Sequence, residues 1–474
     1  MDNKTTQQYV NNLWDNSIIP VLCDYIKIPN KSPLYDANWE ENGYMDEAVT
    51  LITNWCQSHA PKGMQLEVLR VPGKTPLIYI DIPAFNTEKE GNTVLFYGHL
   101  DKQPEMTGWN PDLGPWIPVI KNDKLYGRGG ADDGYAAFSS LTAILALQEQ
   151  NIPHARCVII IEASEESGSI DLPFYLEKLG DRIGKPSLVI GLDSGAGNYE
   201  QMWMTTSLRG NMTGELSVSL LKEGVHSGAA SGIAADSFRV IKQLLSRIED
   251  ENTGEILLKE LHVAIPPERV EEAKKCAQTL KEQVYSELPF QLGTRPIASD
   301  LTELLLNRTW RPALSIVGSS GLPSIENSGN VSRPMTSLKL SMRIPPECDP
   351  LVAEKAMKEV LEKDPPYNAK VSYSPDRSAA TGWNAPVTAP WLENICQEAS
   401  EAFYGKPAMC AGEGGTIPFM SMIGKQFPES QFVITGVLGP ASNAHGPNEF
   451  LHIPMVKKLT ACIAMILAKQ FDAA

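Results

Sequence analysis

The sequence predicts an α/β protein with a mixed, mostly parallel sheet, interrupted by a smaller α+β insertion. Three observations predict it. Short runs of buried-type residues, such as Val158–Ile161, alternate with stretches of helical periodicity through the first two hundred residues. Near Thr205 the pattern changes to strands that alternate apolar and polar residues, as half-exposed antiparallel strands do. Towards the end the chain returns to helix, buried strand and helix. At 474 residues it is also too long for one ordinary core.

The elements follow in order. "MQLEVLRVPGKTPLIYIDIP", Met64 to Pro83, alternates like two strands. "NTVLFYGHLD" is an apolar strand ending in His99 and Asp101. "KLYGRGGADDG" is a glycine-rich turn, after which Phe138, Leu141, Ile144 and Leu145 mark a helix by their spacing. "CVIIIEASEE" and "PSLVIGLDSG" are two more buried strands with acidic ends. In the insertion, "NMTGELSVSLL" is a half-exposed strand and a helix follows over Ala234–Arg247. "TSLKLSMRIP", the helix "PLVAEKAMKEVLEK" and "AKVSYSP" complete it. The chain closes with the helix "APWLENICQEASEAFYG", the strand "QFVITGVL" and the helix "IPMVKKLTACIAMILAKQF". This divides the chain into residues 1–205 with 388–474, and an inserted domain over 206–387.

Composition narrows the partners. The net charge is -16 and the pI about 5.0. An acidic surface of that size disfavours nucleic acid and anionic membranes. The polar start, "MDNKTTQQYVNNLW", has no secretory pattern. No stretch approaches 18 uncharged apolar residues, so no membrane span is expected. Eight scattered cysteines without a CxxC pair read as reduced thiols of a cytoplasmic protein.

The chemistry collects where strands end. His99 and Asp101, Asp132 and Asp133, Glu165 and Glu166, and Asp193 each close a buried-type segment, and His445 follows the last strand. In parallel sheets, sites form at the carboxyl ends of strands. So many carboxylates at one edge repel one another and are costly to desolvate unless cations lie between them. Mixed imidazole and carboxylate donors suit zinc, manganese or cobalt better than calcium, and their number suits two ions. Two such ions, bridged by a carboxylate, are equipment for hydrolysis. Asp101, two residues beyond His99 in an extended segment, faces the same side and can fix the imidazole's tautomer. Adjacent glutamates in extended backbone point apart, so Glu165 and Glu166 take separate roles.

"YGHLDKQP", "YGRGGADDG", "EASEESGS", "VIGLDSG" and "AHGPNE" stand in the order and spacing of the M20 metallopeptidases, and the chain most resembles the carnosinase and cytosolic nonspecific dipeptidase branch. The resemblance covers nearly the whole chain, with "LRGNMTGELSV" and "GVHSGAASG" in the insertion. It implies a dipeptide or short-peptide hydrolase with two zinc or manganese ions. His99 and Asp193 would hold one ion, Glu166 and His445 the other, and Asp132 would bridge. Glu165 would be the general base and Asp101 the clamp on His99, with a cis peptide between Asp132 and Asp133. Aspartate at position 193 goes with aminopeptidase- and dipeptidase-type members. The insertion would be a lid and dimerisation domain whose His226 reaches the partner's site as an oxyanion donor. Arg343 in "LSMRIPP" would bind the substrate carboxylate. Thr416 in "EGGTIP" would line the pocket, and Asn330 and Arg333 are further lid candidates.

The chain departs from the family after Asp132. Where the family often has Asn-Lys-Gly or Met-Lys-Gly, Asp133, Gly134 and Tyr135 stand here, so a lysine is missing and a carboxylate added. His59, His154, His262 and His452 match no motif and read as structural or solvated. "GWNPDLGPW" reads as a loop packing its two tryptophans. An alternative within the same family is a deacylase or desuccinylase of N-acylated amino acids. A non-catalytic metal-binding scaffold is the other, and it would have no use for Glu165.

Overall fold

Six strands build the sheet that positions the strand ends: β1 (Gln65–Leu69), β2 (Leu77–Ile82), β3 (Thr93–His99), β4 (Arg156–Glu162), β5 (Pro186–Gly191) and β6 (Gln431–Ile434). Their order is β1-β2-β4-β3-β5-β6. β1 and β2 run antiparallel at one edge, while β4, β3, β5 and β6 are mutually parallel. The sheet is mixed and mostly parallel, as the sequence predicts. β3 is buried throughout, as a parallel strand covered on both faces must be. The helix Ala136–Glu149 buries eleven of its residues; it is apolar on every side and belongs inside. It packs on the long helix Ile453–Ala473, where the Ser139 and Thr460 hydroxyls share a 2.7 Å hydrogen bond.

The structure, a computed structural model, describes residues 1–87, 92–376 and 379–473. It falls into two units. The first is Met1–Thr206 with Ala385–Ala411 and Phe419–Ala474, and the second is Ser207–Asn384 with Gly412–Pro418. The segment Gly412–Pro418 therefore groups with the insertion, although the sequence reading assigned it to the first domain. The cause is local: Arg209 donates its backbone N–H to Glu413, and the Thr416 hydroxyl bonds the Arg209 carbonyl.

The second unit has a four-stranded antiparallel sheet, ordered Ala313–Ser320, Met335–Ile344, Gly210–Ser219 and Lys370–Pro375. Leu216, Val218, Leu338 and Leu340 face a core shared with Val240 and Met357 of two helices. The expected helix Ala234–Arg247 is shorter, Ser237–Leu245. Asp236 caps it by accepting the N–H groups of Phe238 and Arg239, which fixes its start at Ser237, three residues later. Ala313–Ser320 is an outer strand with Ile316 and Val317 exposed. A separate ribbon pairs Val225–His226 with Val331–Ser332. Among the described residues no helix is long and apolar enough to cross a membrane.

Candidate metal centre

The parallel register brings the acidic strand ends together. His99 closes β3 beside Glu162, which closes β4. Asp193 lies two residues past β5. Asp132 precedes the helix Ala136–Glu149, and His445 sits in the loop after β6 at φ 64°, in the left-handed region that non-glycine residues rarely adopt.

Asp132 is the centre of the cluster. Its Oδ1 lies 3.3 Å from His99 Nε2, and its Oδ2 lies 3.1 Å from His445 Nε2. His99 Nε2 is also 3.8 Å from Asp193 Oδ2, and His445 Nε2 is 3.4 Å from Glu166 Oε2. Two sets of donor atoms each close within 4.8 Å: His99, Asp132 and Glu166, and His99, Glu165 and Asp193. His99 Nε2 and Glu166 Oε1 are buried and accept or donate no hydrogen bond among the described residues. A buried imidazole nitrogen and carboxylate oxygen left without partners, among carboxylates that repel one another, fit divalent cations. Burial and the charge of Asp132 push the Glu166 carboxyl up to about 8. For His445, burial opposes the charged form, but the Asp132 hydrogen bond and the Glu166 charge outweigh it and bring the imidazole to about 9. Both shifts record the same excess of negative charge.

Asp101 does more than the sequence suggests. β3 stops at His99, two residues before Asp101. His99 Nδ1 is 3.0 Å from the main-chain carbonyl of Asp101 and 3.5 Å from its carboxylate. That carboxylate accepts the backbone N–H groups of Glu165, at 3.1 Å, and Glu166, at 3.0 Å. One buried side chain thus ties the imidazole to the backbone that carries both glutamates. Glu165–Ser167 forms a 3₁₀ turn rather than extended strand. The two glutamates diverge because Asp101 pins the turn, not because of strand alternation.

Glu162 proves to be the anchor behind that turn. It accepts from the hydroxyls of Tyr97 at 2.7 Å, Ser169 at 2.9 Å and Ser164 at 3.1 Å. Burial, followed by repulsion from Asp101, raises its carboxyl to about 7 from the ordinary 4.5. The folded chain therefore holds this proton more tightly than the unfolded chain. The stability this contributes is complete below about 4.5 and is lost as pH rises through about 7. With a chelator present, Glu162→Gln is expected to gain about 2–3 kcal/mol relative to the parent between about pH 5 and pH 8, measured by urea unfolding. Parallel pH curves for the two proteins contradict this.

The departure after Asp132 has a steric account. The peptide between Asp132 and Asp133 is cis. A Cβ at Gly134 would stand 2.2 Å from the Tyr25 ring and 2.6 Å from the Gly129 carbonyl, so no lysine fits there. Asp133 Oδ2 accepts the His99 N–H at 3.2 Å. Its approach needs Gly98, where a Cβ would come within 2.7 Å of that oxygen. Burial, then the charge of Asp193, holds the Asp133 carboxyl well above the carboxylate range. The added acid is a fastener of β3.

Sequence reasoning missed Gln103, although it lies in the "GHLDKQP" motif; its amide donates to Glu166 Oε2 at 2.5 Å. It also missed the buried pair of Arg128 and Glu449, which binds the "YGRGG" turn to the "AHGPNE" loop at 2.5 Å. The unmatched histidines are structural: His59 stacks on Trp55, His154 on Phe85 and His452 on Tyr199, while His262 bonds the Ile256 carbonyl. In the "GWNPDLGPW" loop, Trp109 donates to the Glu105 carbonyl and Trp116 lies beneath the Lys102 ammonium.

In the second unit, Arg343 Nη1 donates to Thr416 Oγ1 at 3.1 Å. His226 is exposed, and its Nδ1 accepts only the local Gly228 N–H among the described residues. Asn330 is exposed beside it and accepts the Ser227 N–H through its main chain. Arg333 follows the ribbon strand Val331–Ser332.

Residues 95–469 match the profile of peptidase family M20/M25/M40. The chain belongs to the M20 peptidase family. This M20 chain is 26% identical over 371 residues to a cysteinylglycine-S-conjugate dipeptidase of Corynebacterium striatum, covering 75% of this chain and 76% of that protein. It is 27% identical over 396 residues to the human Beta-Ala-His dipeptidase, covering 79% and 74%. An M20 metallo-carboxypeptidase of Sulfolobus solfataricus shares the fold with a TM-score of 0.76 at 22% identity, covering 96% of this chain and 100% of that one. M20 membership makes the chain a hydrolase of the metallopeptidase class, and the shared fold by itself does not choose a substrate.

Proposed function

We propose that the chain hydrolyses dipeptides and short peptides that carry a free amino terminus, using two zinc or manganese ions. The observation that carries this is Asp132, whose two oxygens face two different imidazoles, with Glu165 beside the His99 side of the cluster. The dipeptidase names of the two relatives support the substrate class. His99 and Asp193 would hold one ion, His445 and Glu166 the other, and Asp132 both. When bound, the ions polarise the scissile carbonyl and acidify the attacking water.

The chain's own groups do the rest. Glu165 takes a proton from the water and delivers it to the leaving amine. Asp101 holds the Glu165–Glu166 backbone so that base and ligand keep their separation. Burial and the Asp193 charge set the Glu165 carboxyl well above the carboxylate range, and cations in the same cluster oppose that shift. Arg343, oriented by Thr416, anchors the substrate carboxylate through its planar guanidinium. The insertion serves as a lid and dimerisation domain, and the partner subunit's His226 donates to the oxyanion. Its exposure here and the outer strand Ala313–Ser320, with Ile316 and Val317 exposed and no further strand beside it among the described residues, favour a homodimer. Asn330, beside His226, contributes to the same lid. A cytoplasmic location accords with the scattered free thiols.

The test is a panel of dipeptides and their N-acetyl forms, assayed with added zinc, manganese and cobalt. Free dipeptides are expected to be cleaved and blocked ones spared. Cleavage of the blocked forms alone replaces this reading with an N-acyl amino acid deacylase.

A further inference from the structure

The second unit contains a cavity of about 750 Å³ that the proposed hydrolysis does not use. Its size is that of a small-molecule site. Leu288, Phe290, Ile297 and Leu304 supply apolar wall. Leu288, Phe290 and Ile297 are 59%, 43% and 81% exposed, a costly arrangement for side chains of that size unless something covers them.

The same walls carry an excess of cations. Arg209, Arg295, Arg308 and Arg311 line the cavity, against one carboxylate, Glu255. Arg311 is neutralised by Glu303 at 2.7 Å. Arg209 is buried and spends its donors on the carbonyl oxygens of Asn307 and Arg311, both at 3.3 Å, which carry no compensating charge. Burial, then repulsion from Arg343 and Arg308, lowers Arg209 to about 10. Among the described residues, Arg295 and Arg308 make no ion pair. Three guanidiniums facing one carboxylate is unexpected in a chain with 57 acidic and 41 basic residues.

We propose that this cavity binds an amphipathic organic carboxylate, its apolar body against Leu288, Phe290, Ile297 and Leu304 and its carboxylate on Arg308 and Arg295. Inorganic phosphate or sulfate would leave the apolar walls in water, and a neutral apolar molecule would leave the guanidiniums uncompensated. A planar guanidinium also matches a carboxylate in a bidentate pair.

Calorimetric titration of the metal-loaded, full-length protein with octanoate tests this, with octan-1-ol and acetate as the two half-ligands. Octanoate is expected to saturate one site per chain, with both half-ligands at least about ten-fold weaker. Arg308→Gln and Arg295→Gln, both at exposed positions, should each weaken octanoate by about ten-fold, and Leu304→Trp should block it. Circular dichroism melts confirm folding of each variant; if Leu304→Trp does not fold, the two arginine variants decide. The proposal is overturned if octanoate gives no saturable heat, if acetate binds as tightly, or if both arginine variants bind normally. It is also overturned if Arg343→Gln abolishes binding while Arg308→Gln leaves it intact, because the acid then occupies the anchor proposed for the dipeptide.

Discussion

Glu165→Gln is expected to lower kcat for a dipeptide by about 10³–10⁴-fold with both metal ions retained. The substitution keeps the shape of the side chain and removes only its capacity to take a proton. Glu165 sits in a donor set with His99 and Asp193, but Asp101 holds the turn by the backbone, so the fold of the site does not depend on its charge. Metal analysis of the purified variant separates the two roles. Loss of activity together with loss of metal makes Glu165 a ligand, and unchanged turnover removes it from the chemistry. The same variant tests the cross-dimer arrangement. Mixed dimers of Glu165→Gln and His226→Ala subunits should regain part of the activity, since one of their two sites has an intact base and an intact partner histidine.

Asp132→Ala should have an effect of similar size by a different route. It deletes the carboxylate whose two oxygens face the two imidazoles at 3.3 and 3.1 Å, so bound metal should fall from two ions per chain to fewer than one, and turnover by on the order of 10³-fold or more. Its neighbour supplies the contrast. Asp133 accepts the His99 N–H through Oδ2, and the amide oxygen of asparagine can accept the same bond. Asp133→Asn is therefore expected to keep both ions. Equal metal loss in the two variants would contradict the assignment of Asp132 as the shared ligand.

Much of this site is legible in the sequence. The apolar runs ending in His99, Glu165–Glu166 and Asp193 announced parallel strands whose carboxyl ends converge, because that pattern has few other physical solutions. The roles that side chains take through contacts were not legible. Glu162 stands in the same acidic run as Glu165 and Glu166, yet its spacing does not name its partners: three hydroxyls hold it behind the turn. Asp101 was read as a clamp on one imidazole; its bonds to the backbone of Glu165 and Glu166 depend on a loop geometry that spacing does not encode. Gly134 looked like a missing lysine until Tyr25, more than one hundred residues earlier, proved to fill the space. The segment Gly412–Pro418 was assigned by sequence proximity, whereas Arg209 draws it to the other unit. For Asp101, Gly134 and Gly412–Pro418 the decisive partner lies far away in sequence.

The central claim is that two cations in this cluster are needed to cleave an unblocked dipeptide. Stepwise addition of zinc or manganese to chelator-treated protein, with bound metal and dipeptide hydrolysis measured in the same samples, tests it most directly. The account predicts no turnover in metal-free protein, two bound ions per chain at saturation, and full activity only as the second site fills. Full activity in metal-free protein, or at a single ion per chain, would contradict it.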